Sequence, residues 1–161
     1  MAASVDNYYI GKGIVSTSTD SGTTWIDIGN APEFELTPKI TKLDHFSSRL
    51  GVKTKDKSVV LQKEATLKVT LEEWTLENLA IALLGTITTG TLSIFEVSSV
   101  DVQVKLVGAN DVGNQFTVIL PNVSFIPSQG LKFIGDTWGQ IELEGEVLDN
   151  GAGSFGTITM A

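Results

Sequence analysis

The sequence predicts a mainly β protein, an antiparallel β-sandwich or barrel with one flanking α-helix. Most segments alternate apolar and polar residues with the two-residue period of a strand, and only one segment has the spacing and caps of a helix. The order is strands, one helix, then strands, which disfavours a parallel nucleotide-binding sheet. A length of 161 residues is typical of one domain, so we assign residues 1–161 to a single domain.

The N-terminal half contains two predicted strand pairs. "GIVSTS" (13–18) is expected to pair with "TWIDI" (24–28) across the turn-forming residues "STDSG". "EFELTPKITKL" (33–43) and "LQKEATLKVTLEE" (61–73) both alternate clearly, and they form the stronger pair. Pro38 indicates an edge strand or a bulge.

One helix is predicted, in "WTLENLAIALLG" (74–85). Thr75 can cap its N-terminus, Glu77 suits the first turn because the helix dipole favours an anion there, and Gly85 can end it. Four apolar residues repeat at helical spacing and are expected to face the sheet: Leu76, Leu79, Ala80 and Leu83.

The C-terminal half is predicted to form only strands, divided by "GAND", "PSQG" and "DNGAG". The predicted strand segments are "TLSIFEV", "DVQVKLVG", "QFTVILPNVSFIP", "LKFIG", "WGQIELEGEVL" and "FGTITM".

Composition narrows the possible functions. Eleven Lys and Arg against nineteen Asp and Glu give a net charge of −8, which disfavours tight nucleic-acid binding. The chain has no cysteine, which excludes disulfides and thiolate catalysis. It shows no signal-peptide pattern and no apolar run long enough to span a bilayer, so we expect synthesis in the cytoplasm and no membrane partner.

Two motifs suggest enzymes, and neither is convincing. Asp44, His45, Ser47 and Ser48 have the residue types of a catalytic triad, but side chains this close in sequence on an extended segment rarely align as base and nucleophile. "GAGSFG" (151–156) matches a dinucleotide fingerprint but is not followed by a helix to hold the pyrophosphate. We therefore expect no enzymatic activity, no cofactor and no metal site.

The segment "GQIELEGEVL" (139–148) places carboxylates on one strand face and apolar side chains on the other. Glu142, Glu144 and Glu146 are then spaced about 7 Å apart. An ordinary solvated sheet face has the same pattern, but repeated around a ring it becomes an acidic wall.

The order of these segments resembles the major tail tube proteins of long-tailed (siphovirus-type) bacteriophages. The resemblance rests on an N-terminal "GKG", "TWIDIGNAPEFEL", the long strand into "ITKLDHFSSRLGVKTKDKSV", and the return strand "LQKEATLKVTLEEWTLENLAIALLG" with its helix. It covers nearly the whole chain, and "KLDHFSSRLG" is its most specific part. The related type VI secretion tube protein shares that fold.

This resemblance implies a structural subunit of a virion tail, assembled in the host cytoplasm. Hexameric rings would stack into a hollow tube that conducts DNA from capsid to host. The tape-measure protein and then DNA would occupy the lumen without tight binding, and tail terminator and distal tail proteins would be further partners.

The resemblance also assigns roles to residues. A long protruding loop at about 44–57 would contact a neighbouring ring or subunit through its apolar and basic side chains: His45, Phe46, Arg49, Leu50, Val52, Lys53, Lys55 and Lys57. Acidic residues would face the lumen: Glu142, Glu144 and Glu146, with Glu64 and Glu72 as weaker candidates.

An alternative function is a soluble β-sandwich module that binds carbohydrate or protein in a tail tip or adhesin. Trp25, Trp74 and Trp138 would then form a stacking platform for sugars. Each tryptophan adjoins an element terminus, however, where an aromatic side chain more often seals the core.

Overall fold

The computed structural model describes residues 3–161 and is mainly β, with antiparallel sheets and one α-helix, as predicted. The strands are β1 Gly13–Ser18, β2 Ile26–Asp27, β3 Glu33–Ser47, β4 Thr54–Leu71, β5 Thr86–Thr88, β6 Thr91–Ser93, β7 Val100–Gly108, β8 Phe116–Ile126, β9 Ile141–Val147 and β10 Thr157–Met160. The helix α1 is Leu76–Ala82, and a single 3₁₀ turn covers Val5–Asn7.

Eight strands form one sheet in the order β2-β1-β7-β8-β9-β4-β3, with β10 also paired to β8. The two predicted N-terminal pairs are confirmed: Ser16 faces Asp27 between β1 and β2, and Glu33 faces Thr70 between β3 and β4. β3 lies at one edge of the sheet, which agrees with Pro38. β5 and β6 form a separate two-stranded hairpin.

One face of the large sheet lines a single hydrophobic core. Leu67, Val69 and Leu71 of β4 are buried there with Phe125 of β8. Val15 of β1 belongs to the same cluster, and Phe34 of β3 packs against it. β1 and β3 lie near opposite ends of the strand order, so the sheet curls back to enclose this core, consistent with a β-sandwich.

Helix α1 begins as predicted, and Leu79 of the predicted face packs against the core, but the buried residues of the helix lie on another face. The Thr75 hydroxyl accepts a hydrogen bond from the Asn78 amide at 3.1 Å, which caps the N-terminus. The buried residues are Asn78, Ile81 and Ala82, whereas Leu76 is 36% exposed. Apolar spacing misidentified this face because the buried polar residue, Asn78, crosslinks the fold: its Nδ2 donates to the carbonyls of Ile28 and Glu73, both at 2.9 Å.

The predicted helix stop at Gly85 is also wrong. The helix ends at Ala82, and the residue in the left-handed region is Leu84, with φ 48°. Leu84 is buried, so burial of its side chain offsets the cost of this conformation.

Two predicted segments are shorter than expected or absent. "LKFIG" (131–135) is not a strand, and "TLSIFEV" is a strand only over Thr91–Ser93. Phe133 forms an edge-to-face contact with Trp74 at 5.1 Å between ring centroids instead of pairing in the sheet. Residues 127–140 therefore form one long loop between β8 and β9.

The predicted loop at 44–57 is mostly strand. β3 continues to Ser47 and β4 starts at Thr54, with Phe46 facing Lys55. Only residues 48–53 form the turn. The sequence of this part of the hairpin does not alternate between apolar and polar residues. No core covers either of its faces, so neither face has to be apolar.

We predict that Asn78→Ala destabilises the protein by about 1–3 kcal/mol, because the buried Ile28 carbonyl and the partly buried Glu73 carbonyl lose their donor. Urea denaturation of the two variants Asn78→Ala and Leu76→Ala measures the difference. Leu76→Ala is the matched helix control and should cost less than Asn78→Ala. Equal losses, or a larger loss for Leu76→Ala, would contradict the assignment of the buried face.

Candidate functional site

The hairpin of β3 and β4 extends well beyond the rest of the sheet. β9 covers β4 only from Ala65 to Leu71, whereas β4 starts at Thr54. A register shift in the β3–β4 pairing after Thr41 lies within this uncovered part of the hairpin. We call residues 42–60 the arm.

The arm is exposed on both faces. Every residue from 42 to 60 is exposed except Ser47, which is half-buried. Six of these exposed residues are large and apolar: Leu43, Phe46, Leu50, Val52, Val59 and Val60. A two-stranded hairpin with no third layer is only marginally stable in water, so this is a surface that gains from being covered.

All eight residues predicted to contact a neighbour lie on the arm. Four of them are in strands, His45, Phe46, Lys55 and Lys57, and four are in the turn, Arg49, Leu50, Val52 and Lys53. The structure thus brings the predicted set together, although on a hairpin and not on a loop. The arm carries five basic residues against two aspartates, in a chain whose net charge is −8.

The triad residue types on the arm are not assembled as a triad. His45 and Asp44 point to opposite faces of the hairpin because they are consecutive in a strand. The His45 Nδ1 lies 2.5 Å from Asp56 Oδ1, while Asp44 accepts a hydrogen bond from the Ser58 hydroxyl at 2.6 Å and pairs with Lys55 at 2.7 Å. The contacts with Lys55 and Ser58 lower the pKa of Asp44, so these groups hold the two strands of the arm together.

A second surface lies on the outer face of the sheet, and its β9 part agrees with prediction. Ile141, Leu143 and Val147 are buried, while Glu144 and Glu146 are exposed. Glu142 is half-buried on the same outer face. The register places these carboxylates beside the polar residues of β4, with Glu142, Glu144 and Glu146 opposite Thr70, Lys68 and Thr66.

The same register adds two carboxylates that sequence reasoning missed, Glu33 and Glu35 of β3, opposite Thr70 and Lys68. Both residues lie on the polar side of β3 in the sequence pattern. That position indicates that they share a surface with the β9 carboxylates only once the pairing of the strands is known. We define the acidic face as six residues: Glu33, Glu35, Glu64, Glu142, Glu144 and Glu146. Glu72 adjoins it just after β4 and accepts hydrogen bonds from Gln140 at 3.2 Å and Asn30 at 2.5 Å.

Two lysines interrupt the acidic face. Lys39 pairs with Glu64 at 3.0 Å. Lys68 lies between Glu33, at 3.5 Å, and Glu142, at 3.8 Å, and the charge of Glu33, followed by that of Glu142, raises the Lys68 pKa. Lys68 therefore offsets the repulsion among carboxylates that three neighbouring strands bring together. Within residues 3–161 no three His, Asp or Glu side chains form a metal-ligand group.

A third surface is the loop of residues 127–140, at the end of β9 away from the arm. Trp138, Ile134 and Phe133 are 92%, 91% and 71% exposed. The expectation that Trp138 seals the core is therefore wrong, while Trp74 does pack against the core. Trp25 is half-buried, with the Lys105 ammonium 4.1 Å from its ring centroid.

A protein-family model described as "Protein of unknown function UCP028589" matches residues 8–93, and the chain belongs to that family. The matched region contains β1 to β6, helix α1 and the whole arm. No curated protein matches the sequence. Among residues 3–161 no helix has the length and apolar character needed to cross a membrane.

We predict that Lys68→Met lowers the melting temperature, because the surrounding carboxylates lose their counter-charge. Salt screens such repulsion, so the loss should be larger at about 20 mM salt than at about 500 mM. The raised Lys68 pKa means that its stabilising effect is complete below the ordinary value of 10.5 and is lost as pH rises through the higher folded-state value.

Thermal unfolding of Lys68→Met and of Lys39→Met at both salt concentrations measures this effect. Lys39 is the matched control because it pairs with a single carboxylate. A loss that does not depend on salt would show that Lys68 acts through packing and not through charge.

Proposed function

We propose that the chain is a structural subunit that assembles with copies of itself into rings, and that these rings stack into a hollow tube like a phage tail tube. The observation that carries the proposal is the arm, which projects from the body with six large apolar side chains uncovered. Burying one Val or Leu side chain contributes about 1.5–3 kcal/mol, so covering several of them stabilises an assembly substantially.

The strand edges support assembly within a ring. Within residues 3–161 the pairing of β3 is with β4 alone, which leaves the other edge of a 15-residue strand free. Such an edge offers unpaired N–H and C=O groups that a neighbouring subunit satisfies by strand pairing. A head-to-tail contact of this kind closes into a ring when its rotation allows, and hexamers are the form that the resemblance implies.

The acidic face supports a role for the lumen. Six carboxylates against two paired lysines make a surface that repels phosphate. Lining a tube with this face lets DNA pass without adhering. On this proposal the subunit has no catalytic role and no cofactor, and it resides in the virion tail after assembly in the host cytoplasm. Its partners are the tape-measure, tail terminator and distal tail proteins.

We predict that a protein without the outer part of the arm, residues 45–57, folds but does not assemble. Residues 45–57 are replaced by Asn-Gly, which joins the facing residues Asp44 and Ser58 through a two-residue hairpin turn. The core lies outside the replaced segment, so the free energy of unfolding should stay close to that of the wild type. Sedimentation velocity over a range of concentrations should show large species for the wild type only.

Point variants locate the effect within the arm. Leu50→Ser and Val52→Ser remove exposed apolar groups from the turn, and Val5→Ser is a control at a similarly exposed position outside the arm. Assembly should weaken for the two arm variants and stay unchanged for Val5→Ser. Full assembly of the protein without residues 45–57 would contradict the proposal.

We predict that reversing charge on the acidic face creates affinity for DNA. Glu144→Lys/Glu146→Lys should bind duplex DNA more tightly than the wild type, with an affinity that falls steeply with salt, by a log–log slope of about 0.9 for each phosphate neutralised. Glu96→Lys/Asp111→Lys makes the same change in net charge at two exposed positions elsewhere and is the control. Fluorescence anisotropy titrations measure both, and equal binding by the two variants would show that net charge alone matters.

The exposure of Trp138 supports the second candidate, a β-sandwich module that binds carbohydrate or protein. A tryptophan that is 92% exposed beside Ile134 and Phe133 is suited to stack on a sugar ring. Quenching of Trp138 fluorescence by oligosaccharides, absent in Trp138→Phe, would favour this candidate over the tube.

A further inference from the structure

The 127–140 loop exposes the kind of surface that would cover the arm. Three of its apolar side chains are exposed, Phe133, Ile134 and Trp138, within six residues of one another in the sequence. The loop is held to the body through Trp74, which contacts the ring of Phe133 and lies directly against Gly139. A 14-residue loop without regular structure is unusual in a compact domain and is commonly functional.

The arm and this loop lie at opposite ends of the same strands. The loop leads into Ile141, which faces Leu71 at one end of the β4–β9 pairing. The arm begins beyond Ala65, which faces Val147 at the other end. Six residues of β4 separate the two ends, about 20 Å, and the eleven residues from Ala65 back to Thr54 reach roughly 35 Å further. The arm is therefore long enough to overlap the loop end of a copy displaced along the strand direction.

Charge on the two surfaces is complementary. The arm has five basic residues against two aspartates. Asp136 lies in the loop, and Glu77 lies one turn of α1 after Trp74, which contacts Phe133 of the loop; Lys132 is the one basic residue of the loop. The acidic face is also negative, but its β3, β4 and β9 side chains are carboxylates, threonines and lysines, which give the arm no apolar cover.

We propose that the arm of one copy docks onto the 127–140 loop of the next copy, with Leu50 and Val52 against Ile134 and Trp138. This inference rests on the proposed self-assembly and names the surface that receives the arm. The contact is heterologous, because it joins two different surfaces of the same chain. Repetition along the strand direction extends the assembly without limit, as a stack of rings requires.

Disulfide trapping between two single-cysteine proteins tests the contact. The chain has no cysteine, so each variant carries one thiol. Leu50→Cys is mixed with Ile134→Cys, one of the two bearing a tag that changes its mass, and the mixture is oxidised mildly. A disulfide forms only when the two Cα atoms approach within about 7 Å, so a mixed-mass dimer reports contact between copies.

Two mixtures are controls, Leu50→Cys with Glu144→Cys on the acidic face and Leu50→Cys with Thr88→Cys on β5. The expected result is at least a several-fold excess of the Leu50–Ile134 dimer over both controls, at concentrations where sedimentation shows assembly. Assembly with no such excess, or with preferential trapping at Glu144→Cys, would overturn this inference and leave self-assembly standing. A wild-type protein that does not assemble would overturn both.

A charge exchange gives a second readout that does not depend on thiol geometry. Arg49→Glu/Lys53→Glu should weaken assembly, and Glu77→Lys/Asp136→Lys should weaken it as well. Mixing the two proteins should restore co-assembly, because opposite charges face each other again across the contact. Failure of the mixture to recover, with both variants folded, would contradict the docking. Quenching of Trp138 by an oligosaccharide that leaves assembly unchanged would assign the loop to a sugar instead.

Discussion

The pairing of β4 with β9 on one side and β3 on the other is the constraint on which the structure depends. Over Ala65–Leu71, this register turns Leu67, Val69 and Leu71 into the core and their neighbours outward. A shift of β4 by one residue would turn Lys68 into the apolar core, away from its carboxylate partners, and expose those three side chains, at the cost of most of the core contribution of β4. The core and the acidic face are thus the two sides of one pairing scheme.

β3 and β4 also form the arm, where they are no longer covered by β9 and the core. Where β9 and the core cover it, the β3–β4 pair is a stable part of the sheet. Beyond Pro38, which faces Ala65, the pair loses the cover of β9, and in the arm its stability comes from cross-strand contacts such as Asp44 with Lys55 and Ser58. A two-stranded hairpin of this kind is only marginally stable alone. A partner that buries Leu50 and Val52 would therefore stabilise both the contact and the arm. On the proposed self-assembly, the stability of the arm is therefore coupled to assembly.

Much of the fold can be predicted from local sequence. Most of the features that cannot be predicted in this way depend on pairing between residues far apart in the sequence. Alternation located β3, β4 and β9 and the parity of Glu142, Glu144 and Glu146, because a strand buried on one face imposes that pattern. It did not reveal Glu33 and Glu35 as part of the same surface, since that depends on register. The face of α1 was misassigned because Asn78 is buried for its hydrogen bonds. The apolar residues of "LKFIG" predict a strand. In the structure Phe133 packs on Trp74 and Ile134 is exposed, and composition alone does not distinguish these environments from burial in a sheet.

The central claim is that copies of this chain assemble through the arm into a hollow tube. The most direct test is negative-stain electron microscopy of the wild-type protein across a range of concentrations, combined with analytical ultracentrifugation of the same samples. The account predicts rings at intermediate concentrations and hollow tubes at higher ones, in equilibrium with smaller species. A single monomeric species at every concentration, with no rings or tubes on the grid, would contradict it.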